Sequence, residues 1–333
     1  MPEFYPDARL AQKTHVRSQK PRACRARGLW LLVETLGSMV VNVPSSKHGG
    51  TPAVASEFYG NVTMPDKPHL DEYKQQVADF YNKRTDYDSS ELAYRRAIPL
   101  VELAQLQKGQ KILDVATGTG IVAIAAAEMV GNEGKVIGVD IASVFLNQAQ
   151  QKIEAAGLKN IELIEADVEY LNFDENSFDA IFCSSAIVLF TDIPAILHKW
   201  YCWLKPGGIV AFHAWGETSF MTPIIIKACA KYGVSLPNIH EPLGTPQRCE
   251  KLLQQAGFQN IEVKIEELGK YLSVDDAKKW WNGGWLHPKN PLLELSTEKM
   301  EEIKVEYANQ VEVLATEHGV LLDITTFFVL ARK

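Results

Sequence analysis

From Lys111 to the C-terminus, short apolar runs alternate with amphipathic or alanine-rich stretches, and this alternation limits the fold more than any other property of the chain. Runs at 111–115, 135–139, 161–166, 178–184, 209–213, 261–267 and 325–331 predict strands. Stretches at 121–130, 142–156, 192–204 and 245–256 predict helices. Gly131, Gly157 and Gly257 close three of them, and Asp192 opens another with Pro194 in its first turn. Strands and helices in this order imply an α/β fold: a doubly wound, mostly parallel, seven-stranded sheet covered on both faces. Upstream, 70–83 and 91–106 carry apolar residues at helical spacing and predict two further helices. Two long segments, 214–244 and 270–320, break the rhythm. Inserts of that length at sheet ends often carry substrate contacts.

Residues 1–65 differ from the rest and read as an extension: a disordered tail, a targeting segment, or sequence upstream of a true start at Met39 or Met64. The main domain is expected over 66–333, with a helical lid at 66–107. Residues 1–28 hold seven Lys/Arg and two Asp/Glu, which leaves 27 basic and 39 acidic residues over 29–333, a net charge of −12. So acidic a body repels phosphate backbones, which argues against a nucleic-acid partner. No uninterrupted apolar run reaches about 20 residues, so no membrane-spanning helix is expected. The five cysteines are odd in number, widely spaced and free of C-x-x-C, which points to a reducing compartment and away from structural zinc. The eight histidines are scattered, and no metal site is expected. A cytoplasmic protein follows, or an organellar one if residues 1–60 are a transit peptide.

The chemistry concentrates at Ile112-Leu113-Asp114-Val115-Ala116-Thr117-Gly118-Thr119-Gly120, an apolar strand that runs into a glycine-rich turn and then a helix. Glycine lets a backbone approach a ligand closely, and ligands of open parallel sheets lie at the carboxyl ends of the strands. The turn is therefore expected to contact a cofactor. Gly118-Thr119-Gly120-Ile121-Val122-Ala123 with Asp140 also satisfies the pattern of a nicotinamide dehydrogenase, so an NAD(P)-dependent oxidoreductase stays open on those residues alone. Three features lean away from it: Asp114 inside the strand end, Asp167 closing Glu165-Ala166-Asp167, and Leu204-Lys205-Pro206-Gly207-Gly208 ahead of the strand ending at His213.

Taken together, these motifs over about 70–333 resemble the class I S-adenosylmethionine-dependent methyltransferases, in the small-molecule branch that includes the ubiquinone/menaquinone-biosynthesis enzymes and their natural-product relatives. The resemblance implies a Rossmann-like methyltransferase fold and S-adenosylmethionine as cofactor. It implies contacts from Asp114, Ala116, Thr117, Gly118 and Gly120 in the first motif. Asp140 would accept from the ribose diol, with Ile141 on one face of adenine. Asp167 would accept from the adenine amino group, with Val168 beside the ring. Ser184 and Ser185 would lie near the methyl group. Ala116 replaces the first glycine of the family's usual motif. Phe178-Asp179-Ala180-Ile181 and Phe190-Thr191-Asp192-Ile193 also fit this branch, and Ser184-Ser185-Ala186-Ile187 replaces the Asn-Pro-Pro-Tyr type of sequence used on exocyclic amines.

The expected reaction is in-line transfer of methyl to a small, largely apolar or aromatic acceptor such as a quinol, phenol or indole. The alternative is a methyltransferase-like binding or regulatory protein without turnover. His213, at the carboxyl end of a predicted strand, is the candidate base, because imidazole titrates near neutrality. Tyr81 is the candidate shield of the sulfonium, and Arg84 could meet the methionine carboxylate. Tyr87, Trp281, Trp285 and His287 are candidate acceptor contacts, the tryptophans as apolar walls. His240 is a weaker candidate in the first insert.

Overall fold

The computed structural model describes residues 70–89 and 91–333. The extension expected over 1–65 lies outside the described residues. Two helices lead in: α1 (Glu72–Asn82), capped by Asp71, whose carboxylate accepts from Lys74 N at 2.8 Å, and α2 (Glu91–Leu103). The alternating body follows as β1 (Lys111–Val115), α3 (Ile121–Val130), β2 (Lys135–Asp140), α4 (Ser143–Ala155), β3 (Ile161–Glu165), β4 (Phe178–Cys183), α5 (Ile193–Trp203) and β5 (Leu204–Trp215). Then come α6 (Thr222–Lys231), α7 (Pro246–Ala256), β6 (Gln259–Glu266), β7 (Gly269–Leu272), α8 (Val274–Lys279), α9 (Thr297–Val313), β8 (Val320–Asp323) and β9 (Thr326–Arg332).

Seven strands form one sheet in the order β3-β2-β1-β4-β5-β9-β6. The pairs among β1 to β5 are parallel, and β9 runs antiparallel between β5 and β6. The doubly wound expectation is met. The chain leaves β1 towards β2 and β3, then returns to place β4 on the other side of β1. That reversal makes a topological switch point, where the connections on either side of β1 diverge and leave a crevice.

Helices on both faces explain why the strands read as continuous apolar runs. Leu113, Val115 and Ile181 belong to one buried cluster, which α5 fills with Ile196, Leu197 and Trp200. Ile112, Ala180 and Phe182 belong to the other, which α2 and α3 fill. A fully buried aromatic or aliphatic side chain stabilises by about 1.5–3 kcal/mol, so this two-sided packing holds the strand ends rigidly in place. Asp192 caps α5 by accepting from Ala195 N at 2.9 Å, as its position predicts.

Strand β5 and the second insert depart from the sequence expectation. β5 starts at Leu204 rather than Ile209, because Phe178 pairs with Leu204 and Ala180 with Ile209 across a bulge that absorbs Pro206-Gly207-Gly208. It also runs on to Trp215, so the first insert begins two residues late. The second insert folds on its own terms: β7 and β8 pair as an antiparallel ribbon, and α9 spans 17 residues. That helix buries only Ile303, Tyr307 and Val311, a stripe one residue wide.

Candidate functional site

The crevice is built from the turn after β1. Ala116, Gly118 and Gly120 all have positive φ, at 53°, 55° and 79°. Gly120 is forced twice over, since a Cβ there would lie 3.0 Å from Ala149 Cβ, where α3 packs on α4. Thr117 N donates to Val139 O at 3.0 Å and pins the turn to β2. Two of its polar groups then position acids. Thr117 Oγ1 donates to Asp114 Oδ2 at 2.6 Å, and Gly118 N donates to Asp140 Oδ2 at 2.7 Å, while Ala142 N holds Asp140 Oδ1 at 2.8 Å.

Around this turn lies a cavity of about 930 Å³, counting its open mouth. Asp114 and the turn residues Ala116 to Thr119 form its floor. Asp140 and Ile141 enter from the end of β2, Asp167 and Val168 from β3, and Ser184, Ser185 and Ala186 from β4. Lys74, Val77 and Tyr81 close it from α1, Tyr87 from the short turn after α1, and Ala93 and Ala97 from α2. The structure thus brings together every predicted cofactor contact except Gly120, which sits behind the wall at the start of α3.

The floor is acidic and buried. Burial pushes the Asp114 carboxyl up to about 7, against the opposing hydrogen bond from Thr117. Burial likewise lifts Asp140 to about 6, against its backbone donors. Asp167 is also raised, because its burial outweighs the attraction of Lys74 Nζ 3.9 Å away. Asp114 Oδ1 and Asp167 Oδ2 are buried without a hydrogen-bond partner. Such orphaned acceptors are costly unless a ligand donates to them.

The remaining sequence candidates divide. Tyr81 and Tyr87 line the cavity, and both rings pack on Phe145, with centroids at 5.8 and 5.2 Å. Burial, with Tyr87 beside it, raises the Tyr81 phenol above its usual range, so it stays protonated. His213 does not line the cavity. It is fully buried behind Ser185, whose Oγ lies 2.8 Å from His213 Nε2. Burial, with Arg96 nearby, depresses its imidazole to about 3. A group so weakly basic and outside the cavity lining does not fit the direct base expected from the sequence.

Trp281 and Trp285 are core residues away from the cavity, Trp281 packing on Tyr307 with centroids 5.7 Å apart. The apolar walls expected from them are supplied instead by Ala93, Ala97 and Phe145. His287 lines a separate groove beside Glu72 and Pro237, and its Nδ1 accepts from Lys289 N at 2.9 Å. Arg84 is exposed, over the rings of Phe80 and Tyr87. His240 is buried against Trp215 and Phe220.

Sequence reasoning missed Lys74, Phe145 and Asp88. Buried Lys74 pairs with Glu169 and donates to Leu189 O at 3.3 Å. Its signal was a lysine next to the apolar stripe of a lid helix. Asp88 accepts from Thr119 Oγ1 at 2.5 Å and pairs with Lys152 at 2.6 Å, contacts too distant in sequence to read. Among the described residues no cluster of acids, histidines and cysteines could hold a metal ion, and no helix is long and apolar enough to cross a membrane.

A family model described as a methyltransferase domain matches residues 112–208, the span from β1 into β5. The chain is 31% identical over 213 residues to a demethylmenaquinone methyltransferase of Geobacillus stearothermophilus, covering 57% of this chain and 91% of that one. It is 30% identical over 205 residues to that of Geobacillus kaustophilus, covering 55% and 87%. A solved structure from Bacillus halodurans shares the fold with a TM-score of 0.50 at 23% identity, over 72% of this chain and 99% of the other.

Proposed function

The chain belongs to the class I S-adenosylmethionine-dependent methyltransferases, and from that membership we propose that it methylates a small aromatic or largely apolar acceptor in the crevice over β1 and β4. The observation that carries the site is the pair of orphaned buried oxygens, Asp114 Oδ1 and Asp167 Oδ2, on either side of Asp140. S-adenosylmethionine has what they lack: an ammonium and an adenine amino group as donors, and a ribose diol suited to a carboxylate with two acceptor oxygens. The residues present therefore fit it. Asp114 would hold the ammonium, Asp140 the diol and Asp167 the adenine amine, with Ile141 and Val168 against the ring. A nicotinamide cofactor explains Asp140 but leaves Asp114 and Asp167 without a task, so the oxidoreductase reading is not favoured.

When bound, this cofactor supplies an activated methyl group on a sulfonium. The chain's own residues then do three things. The acidic floor favours a ligand with positive charge. Tyr81, Tyr87 and Phe145 exclude water from the mouth. Ser185, seated by His213 at the tip of β4, offers a hydroxyl to the acceptor. Alignment of this kind contributes about 7–11 kcal/mol to a bimolecular transfer.

The acceptor's class follows from the walls. Beyond the acids, Val77, Tyr81, Ala93, Ala97 and Leu189 make the lining apolar, as suits a flat ring. The Geobacillus relatives are named for demethylmenaquinone, which makes a reduced quinone the first class to try. A screen of quinols, phenols and indoles with labelled methyl donor is expected to label a quinol or phenol. If no member is labelled by a chain that binds the donor, the binding-protein alternative replaces the enzyme.

A further inference from the structure

Lys74 puts an ammonium on the cavity wall beside Asp167. It shares one face of α1 with Val77 and Tyr81, three and seven residues on, and all three line the cavity. Its Nζ stands among other lining residues: 3.3 Å from Leu189 O, 3.9 Å from Asp167 Oδ1 and 5.0 Å from the centre of the Phe190 ring. An ammonium has three N–H donors. Glu169 takes one in an ion pair, and Leu189 O takes a second. Against its burial, hydrogen bonds from Lys74 and Thr191 hold the Glu169 carboxyl below its usual range, so that partner stays ionised. Among the described residues the third N–H has no acceptor in reach. The 3.9 Å to Asp167 Oδ1 is too long for a hydrogen bond, and that oxygen already accepts from Glu169 N at 3.0 Å. Asp167 Oδ2 is likewise unspent. One wall of the cavity thus holds a spare donor beside a spare acceptor, on two buried side chains.

We propose that Lys74 and Asp167 together read the amino edge of the donor's adenine: Asp167 accepts from the 6-amino group, and Lys74 donates to a ring nitrogen beside it, N1 or N7. The inference rests on the methyltransferase reading and deepens it, because it gives the lid helix a share in choosing the donor's base. Adenine sets a donor next to acceptor nitrogens, which complements the pair on the wall. A 6-oxo purine places an acceptor opposite Asp167 and leaves that carboxylate unpaired. Sites with buried polar groups reject a ligand that fails to pair them.

The test is isothermal titration of the native chain and of Lys74→Met with S-adenosylhomocysteine and its 1-deaza and 7-deaza analogues, each of which lacks one ring nitrogen. The native chain is expected to bind one analogue about tenfold or more weaker than the parent, the loss of one hydrogen bond from a charged donor. Lys74→Met is expected to bind the parent weaker by a similar factor and to lose nothing further with that analogue. Because Lys74→Met leaves Glu169 without its cation, the double variant Lys74→Met/Glu169→Gln is titrated beside it, and thermal denaturation establishes that each is folded. If Lys74 only ties α1 to Glu169, its removal weakens parent and analogues alike and the analogue penalty stays at its native size; that result overturns the proposal. A native chain that binds S-adenosylhomocysteine but shows no penalty with either analogue also overturns the role of Lys74, and that alone. A native chain that binds neither S-adenosylhomocysteine nor S-adenosylmethionine overturns the methyltransferase reading instead.

Discussion

Asp114 combines two properties that a side chain in a folded core normally avoids: a carboxylate sealed from water, and an oxygen with no donor. Its carboxyl is lifted to about 7, against about 3.9 in an unfolded chain. Below about pH 4 both states are protonated and the group costs nothing. As pH rises from about 4 to about 7 the unfolded chain ionises first, so stability falls, and it levels off above the native value. Asp114→Asn removes that slope. Relative to the native chain, the variant should gain stability across this window, by roughly 4 kcal/mol at most, in urea unfolding at stepped pH without ligand. A difference that does not change with pH would contradict the buried carboxylate. Ser185 and His213 behave as one unit if the imidazole works only through the hydroxyl. Ser185→Ala and His213→Ala should each lower kcat with donor affinity retained, and the double variant should lose no more than the worse single one. Additive losses would mean that His213 touches the reaction independently. The acids at 114, 140 and 167 were legible because each ends a strand of the expected parallel sheet. Lys74 was not, because its pairing with Glu169 depends on a helix folding over the sheet rather than on local pattern.

At the scale of elements, the lid is held by a few specific ties. Tyr73 OH donates to Leu189 O at 3.2 Å, Asn82 Oδ1 accepts from Val144 N at 3.0 Å, and Asp88 bonds the glycine-rich turn through Thr119. The Asp88–Lys152 pair is partly exposed and contributes less than about 1 kcal/mol, so the part-buried hydroxyl bond to the turn dominates. Asp88→Ala is expected to speed donor dissociation by about tenfold, a loss of one charge-assisted hydrogen bond, measured by stopped-flow displacement. An unchanged off-rate would show that the segment around Asp88 does not retain the donor. Strands β1 to β4 match their sequence expectation to within a residue; burial writes an apolar run into β1, β2 and β4, while edge strand β3 alternates apolar residues with Glu162 and Glu165. Helix α9 escaped because burying one residue per turn, at 303, 307 and 311, leaves a pattern mostly of charged side chains. The ribbon of β7 and β8 escaped because its strands are four residues each and lie 47 residues apart.

At the scale of the molecule, the switch point beside β1 decides where chemistry occurs, and the inserts decide less than their length suggested. The expected acceptor contacts at Trp281 and Trp285 spend their apolar surface on the core. Apolar lining of the cavity comes from the two leading helices instead, through Val77, Ala93 and Ala97. The crevice between the ends of β1, β2 and β3 is expected to hold S-adenosylmethionine through Asp114, Asp140 and Asp167. Isothermal titration of that donor into the native chain and into Asp140→Ala tests it most directly. Expected are one donor per chain and an affinity weaker by about 100-fold or more in the variant, the loss of two hydrogen bonds to a charged acceptor. No binding to the native chain, or equal affinity in the two proteins, would contradict it.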